Sequence, residues 1–182
     1  FLHLLLPLLL ALPAAAEQAP DYRFTPEAQA AWLQSAAATR AALNRERQRH
    51  GLAELAANDK LDRAAQAHAD HLARHRRATH QQLPEEAGFV GSMPWDRTRA
   101  QGYGLGQTGV VAEAFVVGIA DVDAALMQLL SGPYHRHILL SARAAEVGVG
   151  LSAQPGLVLE FGSAKPTVQA APAWLLWPSP EQ

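Results

Sequence analysis

The chain carries eight histidines and no cysteine. Its chemistry must therefore come from imidazoles, carboxylates and hydroxyls; thiol catalysis, cysteine-based zinc sites and disulfides are excluded. His68, His71 and His75 recur at steps of three and four, the spacing of one helix face. His71 and His75 are candidates to clasp a metal ion, but His68 falls on the apolar stripe of the same segment. Asp70 and the neighbouring arginines mark a partly solvated helix, so packing is the better reading for all three. His80 follows that segment where a run rich in glycine and proline begins, so its ring is free to point into a cleft. His135 stands in Gly132-Pro133-Tyr134-His135-Arg136, directly after a helix stop. Glu113 is a lone acid among Val110, Val111, Ala112, Ala114, Phe115, Val116 and Val117. It must face solvent from a half-buried strand or be held by a buried partner, because an unpaired buried carboxylate is too costly. Taken singly, each of these residues reads first as structural. His50 closes a helix, where an imidazolium suits the dipole. No serine or threonine nucleophile with a matching base is evident.

The elements that must position these groups can be read from local signals. Thr25-Pro26 starts a helix that runs to His50 and stops at Gly51. Asn58 caps a second helix to about Arg77, with Leu61, Ala64, Ala65, His68 and Leu72 on one face. Residues 81–109 are too polar and too punctuated by glycine and proline for regular structure, apart from a short helix around Trp95 to Ala100. A loop of that length in a compact domain is usually functional. Val110 to Val117 is either a short strand or a buried helix entry, and periodicity does not arbitrate. Asp121 to Leu130 reads as a helix stopped by Ser131-Gly132-Pro133. Val147 to Leu151 and Leu157 to Phe161 form a hairpin about Gln154-Pro155-Gly156. Helices, a loop-rich middle, another helix and then strands predict an α+β domain.

With 182 residues, 49% hydrophobic, 18% charged and a net charge of −2, the chain has the composition of one folded domain. A nucleic-acid partner is not expected, since no basic excess is present to neutralise phosphates. Phe1 to Ala16 is an apolar run too short for a membrane span and closes on small residues, which reads as a truncated secretory signal peptide. That predicts a secreted or periplasmic protein without a transmembrane segment. The domain plan that follows is a leader at 1–16, a linker at 17–24, a domain at 25–165 and a tail at 166–182. The tail, with two tryptophans, is a docking strand or the opening of a second domain.

A resemblance becomes specific when the segments are taken in order. Leu43-Asn44-Arg45-Glu46-Arg47, Gly51-Leu52, Leu55, Asn58, Leu61, Ala64-Ala65 and His68-Ala69 resemble the opening of the CAP superfamily, in its bacterial SCP-like branch. That superfamily groups cysteine-rich secretory proteins, antigen 5 and plant pathogenesis-related proteins of group one. Thr79-His80, Asp96-Arg97, Gly102-Tyr103, Glu113-Ala114-Phe115-Val116, Ser131 to Arg136 with Ile138-Leu139-Leu140, Val147 to Gly150 and Leu157 to Gly162 continue the pattern. The resemblance covers about Thr25 to Gly162 and implies an α-β-α sandwich, a small sheet with helices on both faces.

It also implies a cavity lined by two histidines and two glutamates. His80 matches the first histidine, Glu113 the first acid and His135 the second histidine. Ser131-Gly132 stands where the second acid is usual and Ala114 replaces an asparagine, so a triad is expected. Trp95 and the glycine-rich loop are expected as groove walls. His80 and His135 are the candidate zinc ligands, with Glu113 orienting an imidazole or acting as a general base. Two protein ligands are fewer than a committed catalytic zinc uses. The leading expectation is therefore a secreted domain that binds a ligand (a lipid or cell-envelope component) or an extracellular partner without catalysis. The alternatives are a zinc-dependent hydrolase using the same cluster and a structural or adhesion module of a larger envelope protein.

Overall fold

The computed structural model describes residues 26–104, 110–119, 121–152 and 156–163, with side chains from Ser35 onward. The expected leader, linker, Thr25 cap, hairpin residues 153–155 and the tail lie outside the described residues. Helix α1 (Pro26–Arg49) ends as its sequence predicts, because Gly51 takes a left-handed φ of 68° that lets the chain turn back. A two-residue strand β1 (Ala56–Ala57) follows, too short to leave a periodic signal. Helix α2 (Asp59–His75) starts at the predicted cap: the Asn58 side chain accepts from the backbone N–H of Lys60 and Leu61. It closes on Arg76 in the left-handed region (φ 50°), one residue short of the predicted Arg77.

Pro94 opens α3 (Pro94–Ala100), where Asp96 accepts from the Met93 N–H. Val110–Val117 is a strand, β2. Asp121 caps α4 (Val122–Ser131) through the Ala124 N–H. Gly132-Pro133 then does more than stop a helix. Proline at the first helical position starts α5 (Pro133–Leu139), so His135 sits in a helical first turn. Strands β3 (Glu146–Ser152) and β4 (Gly156–Ser163) pair antiparallel, as the predicted hairpin requires. The sheet order is β1-β3-β4-β2, with β1 parallel to β3 and β2 antiparallel to β4.

Helices cover both faces of this sheet. Ala112 and Ala114 of β2, Val147 and Val149 of β3, and Leu157, Leu159 and Phe161 of β4 point to one face, into a leucine-rich core with α1, α4 and α5. The alternate residues face α2 and α3, as a pleated strand demands. There Gly148 and Gly150 have no substitute: a Cβ on Gly148 would lie 2.0 Å from the Leu61 carbonyl carbon, and one on Gly150 2.2 Å from the Ala65 oxygen. Close approach of α2 also lets it serve the β3 edge. Asp62 accepts from the Val149 N–H, and Gln66 bonds both the N–H and the carbonyl of Leu151.

Arg47 fixes the other layer. Fully buried, it donates to the carbonyls of Ala53, Leu139 and Ser141, tying the end of α1 to the end of α5. Burial lowers its pKa to about 10. His135 thus stands on a helix anchored at its far end.

Candidate functional site

The histidines of α2 hold the segment that carries His80. His68 is fully buried; its Nε2–H donates to the Thr79 carbonyl at 3.0 Å, while Nδ1 accepts from the Gln82 amide at 3.0 Å. Both ring nitrogens are used by one neutral tautomer, and burial, the largest cause, lowers the pKa to about 4. His71 bonds Glu86 at 3.1 Å and His75 the Ala87 carbonyl at 2.9 Å. Each of the three imidazoles therefore grips a different point of the segment after α2, and the His71 and His75 rings lie with centroids 4.3 Å apart. Arg77 adds an ion pair to Glu86.

Arg97 completes the support. Placed on α3 with no solvent exposure, its Nη1 donates to the His80 carbonyl at 3.0 Å and its Nη2 to Glu113 Oε2 at 2.5 Å. Glu113 projects from the centre of β2 toward α2 and α3. Its Oε1 takes the Nδ1–H of His80 at 2.7 Å, and His68 Nε2 lies 3.6 Å away. Phe115, two residues on and therefore on the same face, meets the edge of the His80 ring with centroids 4.7 Å apart. His80 is the open end of this cluster, its side chain 45% exposed.

Burial resists ionisation of Glu113, but the His80 hydrogen bond, the nearby His68 ring, the Arg97 charge and a hydrogen bond with Glu160 outweigh it. Its carboxyl is held well below the ordinary range. Glu160 behaves in the opposite sense: burial first, then the neighbouring Glu113 charge, push it well above that range. The two acids are register partners on β2 and β4.

The structure thus joins two of the three residues expected to line one site, His80 and Glu113, by a direct hydrogen bond. His135 is partly buried on α5, its ring folded back over Gly132. Burial and then the charge of His80 lower its pKa, which places it within electrostatic reach of that ring. Trp95 lies on α3, two residues from Arg97, and is 46% exposed; the ring that packs on His80 is Phe115. A cavity of about 380 Å³ opens elsewhere, beside Leu72, Arg76, Val117 and Ser152, and one of about 400 Å³ beside Asn58, Tyr103 and Glu146. Neither is lined by His80, Glu113 or His135.

Sequence reasoning passed over two members of the cluster. Arg97 entered only as part of an Asp-Arg pair, and Glu160 only as part of a final strand. Yet Glu160 carries the signal that singled out Glu113: one acid in an apolar strand, Leu157-Val158-Leu159-Glu160-Phe161.

Zinc, the cofactor implied by the resemblance, can be tested against this donor set. Both Glu113 oxygens are engaged, one by His80 and one by Arg97. Among the described residues no three histidine, aspartate or glutamate side chains are grouped to hold a metal ion. Two imidazoles do not fit the three protein ligands of a catalytic zinc centre.

Comparisons with known proteins agree with this architecture. The family model described as the cysteine-rich secretory protein family, CAP, matches residues 40–159. No curated protein matches the chain. Among solved structures, an extracellular protein containing an SCP domain from Bacillus anthracis superposes with a TM-score of 0.65 at 22% identity, over 75% of this chain. The chain spans only 43% of the length of that protein. An outer surface protein from Borrelia burgdorferi gives a TM-score of 0.62 at 20% identity, covering 71% of this chain and 92% of that one. A cysteine-rich secretory protein from Staphylococcus aureus gives 0.52 at 17% identity, covering 71% and 38% respectively. These identities speak for the fold alone. No described helix is long and apolar enough to cross a membrane.

Proposed function

The chain belongs to the cysteine-rich secretory protein (CAP) family, and from that premise we propose that it is an exported binding domain. His80 and His135 are its recognition pair for a ligand or partner outside the cytoplasm, and it performs no catalysis. The observation that carries this reading is the state of Glu113. Its side chain has no solvent exposure and both oxygens already hold hydrogen bonds. An acid closed to solvent in this way orients an imidazole and is not open to a solvent water that it could activate. What the cluster offers to solvent is the half-exposed His80 ring, with its Nδ1–H on Glu113. Exposed aromatics flank the pair in sequence: Phe89 and Trp95 near His80, and Tyr134, 86% exposed, beside His135. Exposed aromatic rings are common in recognition surfaces.

The apolar run at 1–16 supports export, as do solved proteins of this fold described as extracellular or outer surface proteins. A cell-envelope component is the ligand class in view, lipid or polymer. Sedimentation of the protein with phosphatidylglycerol–phosphatidylcholine vesicles and with purified cell-wall polymer tests it. Retention on one of the two, weakened by His80→Ala and by Trp95→Ala, is expected. Retention unchanged in His80→Ala overturns the assignment of the site. Turnover of ester or peptide substrates with added zinc, lost in both His80→Ala and His135→Ala, overturns the non-catalytic reading in favour of a hydrolase.

A further inference from the structure

On the sheet face beneath α2 and α3, one guanidinium meets two carboxyls, and all three side chains are closed to solvent. Glu113 and Glu160 are directly paired across β2 and β4, which holds their Cβ atoms about 5 Å apart. Arg97 does not divide itself evenly between them. Its Nη2 is committed to Glu113 and its Nη1 to the His80 carbonyl. Its Nε stands 3.8 Å from Glu160 Oε1, beyond hydrogen-bond distance. Neither Glu160 oxygen receives a donor from any described group, although its carboxyl faces that of Glu113 closely enough to hydrogen-bond.

We propose that Glu160 is a positioning residue for His80: it keeps its proton and donates it to Glu113, locking that carboxylate in the pose that takes the Nδ1–H of His80. This rests on the reading of His80 as the outward-facing recognition group. Charge counting supports it. Two buried carboxylates against one guanidinium would leave a net buried negative charge, whereas one retained proton makes the cluster neutral. Among the described groups packed there, Arg97 is the one permanently charged cation. From α2 comes His68, held neutral chiefly by burial, with both ring nitrogens already bonded. From α3 comes Arg97, from β2 Glu113, and from the loop His80, which reaches Glu113 instead. On the other side of Glu160 the register partner is Gly148, which brings no side chain. A carboxylic acid also relieves one of the two orphaned oxygens, since its O–H donates to Glu113.

The test uses the intact protein with ¹³C-labelled glutamate and ¹⁵N-labelled histidine. At pH 7 the Glu160 carboxyl carbon is expected at the neutral-acid shift and the Glu113 carbon at the carboxylate shift. The neutral form of His80 is expected to favour the Nδ1–H tautomer by roughly tenfold, the ratio one charge-assisted hydrogen bond supports. Glu160→Gln, whose amide still donates, is expected to keep that ratio; Glu160→Leu, with no donor, is expected to lose most of it. A carboxylate shift for Glu160 at pH 7 in the unaltered protein overturns the proposal without any variant having to fold. An unchanged tautomer ratio in a folded Glu160→Leu protein overturns it as well. Ligand retention that depends on His80 while Glu160 is ionised would leave the binding role standing and remove only this inference.

Discussion

The two faces of the sheet are built on opposite principles. Toward α1, α4 and α5 the strands present Ala112, Ala114, Val147, Val149, Leu157, Leu159 and Phe161, and the helices answer with Leu43, Leu126, Leu129, Leu130 and Leu139. Toward α2 and α3 the same strands present Glu113, Glu160, two glycines, Val158 and Phe115, answered by His68, Arg97 and a short apolar patch of Ala65, Ala69 and Leu72. One face gains its free energy from area removed from water, which is non-directional and tolerant of repacking. The other satisfies charges whose desolvation consumes most of what their pairing returns. The contrast assigns stability to the first face and placement of His80 to the second.

The sharpest way to break that assignment is to cut into each face and compare. Phe161→Ala removes a large ring from the apolar face and is expected to cost about 3–5 kcal/mol in denaturant unfolding. Arg97→Met is expected to cost a similar amount, about 3–5 kcal/mol, because Glu113 is left buried and unpaired. The faces separate in the double change. Arg97→Met with Glu113→Leu removes the charge along with its partner and is expected to recover at least half of the loss. No second substitution at the Phe161 site restores its cavity so simply. If the double variant is as unstable as Arg97→Met alone, the polar face contributes stability in its own right and the division fails.

A gentler probe uses pH, since the strand residues of the apolar face carry no titrating group. His68 is neutral when folded, with its pKa lowered from 6.5 to about 4. Below pH 6.5 the unfolded chain therefore binds the proton that the folded chain refuses. Stability falls as pH drops from 6.5 toward 4, by at most about 1.4 kcal/mol per unit. Glu113 acts lower on the scale: its depressed pKa adds stability above the unfolded carboxylate range, lost as pH falls below it. Glu160 has the opposite sign, because a raised pKa makes the folded state less favoured as pH rises above the unfolded value. His68→Gln keeps groups able to bond Thr79 and Gln82 and is expected to flatten the slope between pH 6.5 and 4. A slope unchanged in that variant would place the titration elsewhere.

The same contrast explains what could be read from the sequence. The apolar face is written in runs rich in β-branched and aliphatic residues, so the final hairpin is legible as Val147 to Leu151 and Leu157 to Phe161 about a Gln154-Pro155-Gly156 turn. The helices are legible from signals such as the Asn58 cap and the Gly51 stop. The polar face is assembled from residues far apart in the chain, each of which alone looks structural. His80 and Glu113 were found because they fit a known order of motifs. Arg97 and Glu160 were passed over because their significance is a cross-strand register and a guanidinium reach, neither of which one segment contains. β1 escaped because two residues leave no period, and α5 because Pro133 was read as ending one helix rather than beginning the next.

The smallest expected effect concerns residues that belong to neither face. Tyr134 is 86% exposed at the start of α5, where its ring covers little of the protein's own surface. Tyr134→Ser is expected to change unfolding stability by no more than about 0.5 kcal/mol. The neighbouring ring of His135 should be undisturbed, because α5 is held from its other end by Arg47. If the aromatic is there for recognition, the variant should lose retention on the envelope ligand while its unfolding curve stays put. A large drop in stability would show instead that the ring packs on the domain, and would remove it from the recognition surface.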